Sequence, residues 1–564
     1  MKICVLDIEG NGLAELTLDS KGKPRTEATR VLCAATKVPN QEPILWLESQ
    51  MGDLVQYLKG FDVIVGHNIF GYDFPVMSRL HNMCRPKCIV DTLVISKLMH
   101  PDINNHKLGD NSLESWGKHL NFPKMEYTQG WEAYNEQMGT YCKQDARLGE
   151  AIYNAQRAFI SANKSVVAFE HNVSSVLMEQ VCNGFGYSLE SGEKLYQDLT
   201  LEKLGIEDEM RTIFPDKLIV RYSEKTGKRL KDQIDTFNPG SRQQIAERLT
   251  EKYGWNPPTT EKGNPKVDES VLSTLDYPEA KKLVEYFDTV KLLGMVEDWN
   301  TRASNSRDRR IHGGINAQGA ATGRCTHSQP NVAQVSGDHR ARELWIPNHP
   351  DHVLVGADLS GLELRMLAHF MAKYDKGEYA KVLLTGDIHT HNQKAAGLPS
   401  RALAKSFIYA YLYGAGDRKI AAVCSCSVAE ASKLRERFQK EIPALAKVQE
   451  AVRYETLKNG GVILPDGRKV PVRSEHAALN TLLQGSGAVV SKYWMVEAAK
   501  HLLECGAYQL AYIHDELQYS CPAIVAEVFG KAVTGAATRA GELLNLNIRI
   551  DAEYRIGKSW AETH

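Results

Sequence analysis

The rhythm of apolar and polar positions changes along this chain, and the changes mark out its parts. Up to about residue 160, short β-like runs (KICVLD, DVIVGHN, CIVDTLVI) alternate with helical patterns, which predicts an α/β domain. From about Val166 to Met295 the spacing is mostly helical and amphipathic, as in FEHNVSSVLMEQV, SRQQIAERLTEKYG and EAKKLVEYFDTVKLLG. A strand-like run returns at VLVGAD, and a long helical block follows from about Ala372 to Tyr454. After the helix HAALNTLLQGSGAVVSKYW the pattern is β-rich again, through LAYIHDELQYS. One strand-containing unit is therefore interrupted by a helical insertion. At 564 residues the chain needs several cores.

Composition is that of an ordinary globular protein, 43% hydrophobic and 24% charged. No apolar run approaches the roughly 20 residues of a membrane span, and the start, MKICVLDIEG, is no signal peptide, so a cytoplasmic protein without membrane contact is expected. The eleven cysteines are scattered and read as reduced thiols; His81, Cys84 and Cys88 approach metal-ligand spacing, but nothing nearby completes a zinc site. Net charge is −1, yet seven arginines and only two aspartates lie between Arg302 and Arg342, around a Gly-rich segment. A chain that grips phosphates on one side and gathers carboxylates on another can be neutral overall.

The chemistry concentrates in two places. In SRALAKSFIYAYLYGAG (Ser400–Gly416), Arg401, Lys405 and Tyr409 fall at i, i+4 and i+8, one helical face with about 6 Å of rise between neighbours. A guanidinium, an ammonium and an aromatic in that row suit a polyphosphate carrying a sugar and base. On either side an apolar run ends in an aspartate, Asp358 in VLVGADLSGLELR and Asp515 in LAYIHDELQYS. The second set lies near the start. Asp7 and Glu9 share a strand face, Asp73 follows in GHNIFGYDFP, and Tyr141 stands one helical turn before Asp145 in YCKQDARL. Four carboxylates can hold two divalent ions about 4 Å apart, and Tyr141 can orient an attacking water.

That ordered set resembles the proofreading 3′–5′ exonuclease domains whose last motif carries tyrosine. With DIEGNGL, HNIFGYDFP, ATGRCTHSQPN, GADLSGLELRMLAHF, DIHTHNQKAA, RALAKSFIYAYLYGAGD, HAALNTLLQGSGA and YIHDELQ in sequence, the whole chain resembles a family A DNA polymerase of the bacteriophage replicative type. The resemblance implies an α/β multidomain fold, an RNase H-like exonuclease domain plus a right-hand polymerase domain. Its parts would be an exonuclease domain over 1–165, thumb and connecting helices over 166–311, palm over 312–371 and 476–564, and fingers over 372–475. It implies Asp7, Glu9, Asp73 and Asp145 as metal ligands of hydrolysis with Tyr141 positioning water. For synthesis it implies Asp358, Asp515 and the Leu359 carbonyl as ligands, with Glu516 an auxiliary acid at the DNA.

On the same resemblance His389, Arg401 and Lys405 contact the incoming triphosphate, and Lys405 protonates the leaving group. Glu363 is the steric gate against ribose, Tyr409 lies beside the sugar C3′, and Tyr413 lies near the templating base. Arg324, Asn480 and Gln484 contact minor-groove acceptors, which every Watson–Crick pair presents. Two Mg²⁺ ions per site are expected, with Mn²⁺ chemically able to substitute. Expected partners are primer-template DNA, dNTPs and a replicative helicase or primase, with the chain a monomer. No 5′-nuclease domain is expected, because the chain opens on DIEG. Only about twenty residues (Asp216–Asp235) stand where some phage members carry a thioredoxin-binding insertion, so thioredoxin dependence is not expected. A single-subunit RNA polymerase shares the aspartate and Arg/Lys motifs but has no exonuclease set.

Overall fold

Strand β1 (Ile3–Gly10) aims the first acids. Its parallel neighbour β4 (Val63–Gly66) pairs only with Ile3–Val5, so the second half of β1 outruns it. Asp7 and Glu9, on one face, project past the carboxyl end of the parallel pair, where open α/β sheets keep their ligands. The sheet is completed by β2 (Val31–Lys37), β3 (Ile44–Leu47) and β5 (Ile89–Asp91), in the order β3-β2-β1-β4-β5, antiparallel from β1 to β3 and parallel from β1 to β5. The computed structural model describes residues 1–14, 17–18, 24–25, 27–102 and 108–564.

Helix α1 (Asp73–His81) begins at Asp73, whose Oδ1 accepts the Ile8 N–H at 3.0 Å. The run CIVDTLVI is not one strand. Asp91 ends β5 and its carboxylate accepts the Leu93 N–H, capping α2 (Thr92–Met99), so TLVI is helical. Asp91 also accepts from the Asn68 and Phe70 backbones, a structural role. After α3 (Leu113–His119), the long α4 (Glu136–Ala162) packs on β1 and β2 with Tyr141 and Asp145 on its buried face.

The chain forms two compact units. One comprises Met1–Gly186, Arg310–Gln334 and Ile346–His564; the other comprises Tyr187–Arg309 and Val335–Trp345. The helices expected over 166–311 divide between them. Helix α5 (Lys164–Asn183) belongs to the first unit; α6 (Leu189–Ile213) and α7 (Pro278–Asn305) pair within the second around Ile206, Met210, Leu283 and Tyr286. The second unit also carries a small hairpin, Lys217–Ile219 with Gln233–Asp235.

The remainder of the first unit is built on β8 (His352–Leu359). The hairpin strands Lys217–Ile219 and Gln233–Asp235 are β6 and β7. Helices α8 (Leu362–Asp375), α9 (Ile388–Ala396) and α10 (Arg401–Leu412) follow, then α11 (Ala478–Ala499), β9 (Tyr508–Ile513), β10 (Glu516–Pro522), α12 (Ala526–Leu543) and β11 (Ala552–Gly557). The strands form an antiparallel sheet in the order β9-β10-β8-β11. Helix α11 is tied to α5 by Glu170, which is fully buried and meets Lys492 at 3.0 Å and Arg468 at 2.5 Å. Removing one member of such a buried set strands the others and costs about 3–5 kcal/mol. No described helix is long and apolar enough to cross a membrane.

Candidate active sites

The separated aspartates meet. Asp358, next to last in β8, lies directly opposite Glu516 on β10 and Glu553 on β11. Asp515 sits in the two-residue turn between β9 and β10, and its carbonyl accepts the Leu359 N–H at 2.9 Å. His514, the other turn residue, adopts φ +59, a strained choice for a side chain of that size. The strain is held from two sides, by that Leu359 bond and by the Ser491 hydroxyl of α11 donating to the His514 carbonyl.

Crowding raises both acids. Partial desolvation first, then the charge of Asp515, pushes the Asp358 carboxyl, whose edge still reaches solvent, up to about 7; burial, then Glu363, pushes Asp515 up to about 6. Two oxygen-donor groups held near each other at this cost suit a hard divalent cation. Glu516 differs: its Oε1 accepts from Gln518 (2.8 Å) and Trp560 (2.7 Å), and its Oε2 meets His564 Nδ1 at 3.0 Å. It is an anchored, buried acid, and the chain's last helical turn does the anchoring.

Glu363 lies in the first turn of α8, where Gly361 at φ +58 lets the chain turn sharply out of the strand. Its Oε1 accepts from the Tyr413 hydroxyl at 3.0 Å and pairs with Arg324 at 3.3 Å. Tyr409 and Tyr413 stack with ring centres 6.3 Å apart, and the Tyr409 hydroxyl is pushed up by burial and by the charges of Glu363 and Asp515. The lower end of α10 thus faces the acids.

Its upper end is cationic and open. Arg401 and Lys405 are exposed, and Arg401 Nε meets Asp387 at 2.6 Å. Asp387 caps α9, which presents His389; burial and the charges of Arg401 and Lys405 hold that imidazole below its usual range. The His389 Nδ1 is buried without a hydrogen-bond partner among the described residues. On α11, the Asn480 Oδ1 is likewise buried and unpartnered, and Gln484, one turn on, borders a cavity of about 540 Å³ with Thr481, Thr322, Gln318 and Arg473.

The second acidic cluster is tighter. Asp7 and Glu9 are both pushed well above the carboxylate range, by burial first and then by neighbouring acids, Asp145 acting on both. Burial also raises Asp73, to about 8, and raises Asp145. Asp7 Oδ2 and Asp145 Oδ1 are buried without partners among the described residues. Such a donor set is short of positive charge, and hard divalent ions fit it. Tyr141, also buried, lies beside Asp145. Two residues here escaped the sequence reading. Cys142 donates its thiol to the Asp7 carbonyl at 3.4 Å, and Lys124 meets Asp145 Oδ2 at 2.8 Å. A lysine in NFPKMEY carries no spacing signal that would single it out.

The profile of DNA polymerase family A matches residues 217–562. The DNA-directed DNA polymerase of Enterobacteria phage T3 is 31% identical, over 91% of this chain and 95% of that protein. That of Escherichia phage T7 is 31% identical, over 89% of this chain and 92% of its own length. Among solved structures, the POL domain of Pol1 from M. smegmatis, in complex with DNA primer-template and dNTP, superposes with a TM-score of 0.81 at 17% identity, covering 99% of this chain and 96% of that one. By its sequence relatives, its matched profile and its mixed α/β architecture, the chain belongs to DNA polymerase family A.

Proposed function

We propose that the protein extends a primer 3′ end on a DNA template at the Asp358–Asp515 centre and removes 3′ nucleotides at the Asp7–Asp145 centre, in the replication of a phage genome. The observation that carries the first half is the convergence of Asp358, Asp515, Glu363 and Tyr409 at the foot of α10, below the cations Arg401 and Lys405. The four acids around Tyr141, Asp73 and Asp145 buried and Asp7 and Glu9 half-buried, support the second half.

Bound Mg²⁺, or Mn²⁺ in its stead, supplies activation of the attacking oxygen and neutralisation of the leaving group at each centre. Asp358, Asp515 and the Leu359 carbonyl hold the ions of synthesis; Asp7, Glu9, Asp73 and Asp145 hold those of hydrolysis. Arg401, Lys405 and His389 bind the triphosphate, and the Lys405 ammonium gives a proton to the departing pyrophosphate. Glu363, fixed by Tyr413 and Arg324, walls off the space a 2′-hydroxyl needs, and Tyr409 lies against the sugar. Tyr413 abuts the templating base, while Arg324, Asn480 and Gln484 test pair shape in the minor groove. Glu516 keeps the Asp358 strand end in register. Tyr141 orients the water that attacks the terminal phosphodiester.

In hand terms, the β8–β11 sheet is the palm, 372–475 the fingers and the α6–α7 unit the thumb, joined to an RNase H-like exonuclease domain over 1–165. The protein works as a monomer with a helicase or primase and without thioredoxin. One assay tests the whole: a DNA primer-template with Mg²⁺ and dNTPs, rNTPs or no nucleotide. Extension with dNTPs and shortening without nucleotides are expected. Asp358→Ala abolishes the first alone and Asp7→Ala the second alone; loss of both activities in either variant refutes the two-centre reading.

A further inference from the structure

Lys124 enters the hydrolytic cluster from a loop built to deliver it. The loop follows α3, and a Cβ on Gly117 would stand 2.8 Å from the Phe122 carbonyl oxygen and 3.1 Å from the Lys124 nitrogen. Only a glycine lets the helix and loop lie so close, and the Phe122 N–H bonds back to the Gly117 carbonyl at 2.8 Å. At the end of this clamped segment the Lys124 ammonium lies 2.8 Å from Asp145 Oδ2 and 4.8 Å from the centre of the Tyr141 ring.

The pair is not a surface ornament. The Asp145 side chain is 3% exposed, and its other oxygen, Oδ1, has no partner among the described residues. An unmade buried hydrogen bond is costly, so the empty Oδ1 leaves Asp145 short of a partner that a divalent ion would supply. Nor does the ammonium serve Asp145 alone, since its charge acts also on Asp7 and Glu9. A cation inside a metal-type cluster occupies a ligand that a divalent ion needs, and it fixes the direction from which Tyr141 and Asp145 face the substrate.

We propose that Lys124 is a positioning residue of the hydrolytic centre, an internal counter-ion that holds Asp145 and Tyr141 in place and competes with the divalent ion for Asp145. The inference rests on reading that centre as the exonuclease. When no ion is bound, Lys124 offsets part of the repulsion among the four acids; when one binds, Asp145 is shared or released.

The test compares the full chain with Lys124→Met, Lys124→Gln and Lys124→Arg, reading the thermal midpoint in EDTA and in Mn²⁺ alone, with 3′-end shortening measured separately. All variants retain the Asp358–Asp515 centre, so differences between them report on the hydrolytic one. In Lys124→Met the midpoint in EDTA falls, the rise on adding Mn²⁺ exceeds that of the wild type, and shortening kcat drops about 10–100-fold with KM for the DNA end unchanged. Lys124→Arg restores the EDTA midpoint. Lys124→Gln gives the same readings should the methionine variant fail to fold. Equal Mn²⁺-induced rises in wild type and variants overturn the proposal. A wild type that shortens no 3′ ends, beside variants that still respond more strongly to Mn²⁺, refutes the exonuclease reading and leaves the competition standing.

Discussion

The two acidic centres solve one electrostatic problem in opposite ways. The Asp7–Asp145 centre gathers its carboxylates, Asp73 and Asp145 buried and Asp7 and Glu9 half-buried, at the end of a mixed sheet and admits one ammonium, Lys124, in direct contact. The Asp358–Asp515 centre lies on an antiparallel sheet with Asp358 itself exposed, and its cations stand on a separate helix, α10. A centre with a built-in cation needs only an ion and a chain end to be complete. On the proposed function, a centre that keeps its cations apart leaves space between acid and base for a triphosphate, whose negative charge those cations would offset. On that reading, similar aspartates are adapted to different substrates by where their counter-charges stand.

The sharpest break of that contrast is Lys405→Ala. If the helix cation donates a proton to the leaving pyrophosphate, extension kcat falls about 100- to 10,000-fold while shortening of 3′ ends is unchanged. Single-turnover kinetics with dNTPs decides it, and a loss confined to KM would assign Lys405 to binding alone. Next in size is Tyr409→Phe. On the proposed placement of Tyr409 against the sugar, its hydroxyl replaces the hydrogen bond a dideoxy sugar lacks, so discrimination against ddTTP relative to dTTP is expected to rise about 100-fold. Glu363→Ala comes third. It removes the wall held by Tyr413 and Arg324, and preference for dNTPs over rNTPs is expected to fall about 10-fold, measured as a ratio of kcat/KM values.

What the sequence disclosed follows from the range of each signal. Asp7 and Glu9, or Tyr141 and Asp145, are set by strand and helix periods, and β1 and α4 present them as spacing predicts. Arg401, Lys405 and Tyr409 likewise ride one helix, although α10 stops at Leu412 and leaves Tyr413 as its cap. The long helical block also holds, as a series of shorter helices. The reading failed where a contact depends on distant parts of the chain. The three engagements of Glu516 come from Gln518, Trp560 and His564, and only the first is local. Glu170 reaches partners some 300 positions away, 298 to Arg468 and 322 to Lys492. Lys124 is invisible for the same reason, a loop residue whose meaning is given by Asp145. In CIVDTLVI a β-rich composition masked a boundary that the side chain of Asp91 sets by capping α2.

The smallest effect expected is one of pH, and it separates the centres by depth. An aspartate titrates near 4 in an unfolded chain. Asp358, pushed up to about 7 by partial desolvation and Asp515, binds its proton more tightly when folded, as does Asp73, pushed up to about 8 by burial. Between pH 4 and those values the folded state carries more protons than the unfolded one, so stability of the metal-free protein falls as pH rises and levels off above about 8. Asp73 is 4% exposed, whereas Asp358 faces solvent, which screens its share. Thermal midpoints in EDTA from pH 5 to 9 are therefore expected to decline, with Asp73→Asn flattening the curve more than Asp358→Asn, and chiefly at its upper end. On the proposed metal binding, added Mg²⁺ is expected to oppose the decline by taking the protons' place among the acids. A midpoint that climbs over this range would mean that the acids are already neutralised by groups of the protein, and the contrast between a buried and an open centre would lose its electrostatic basis.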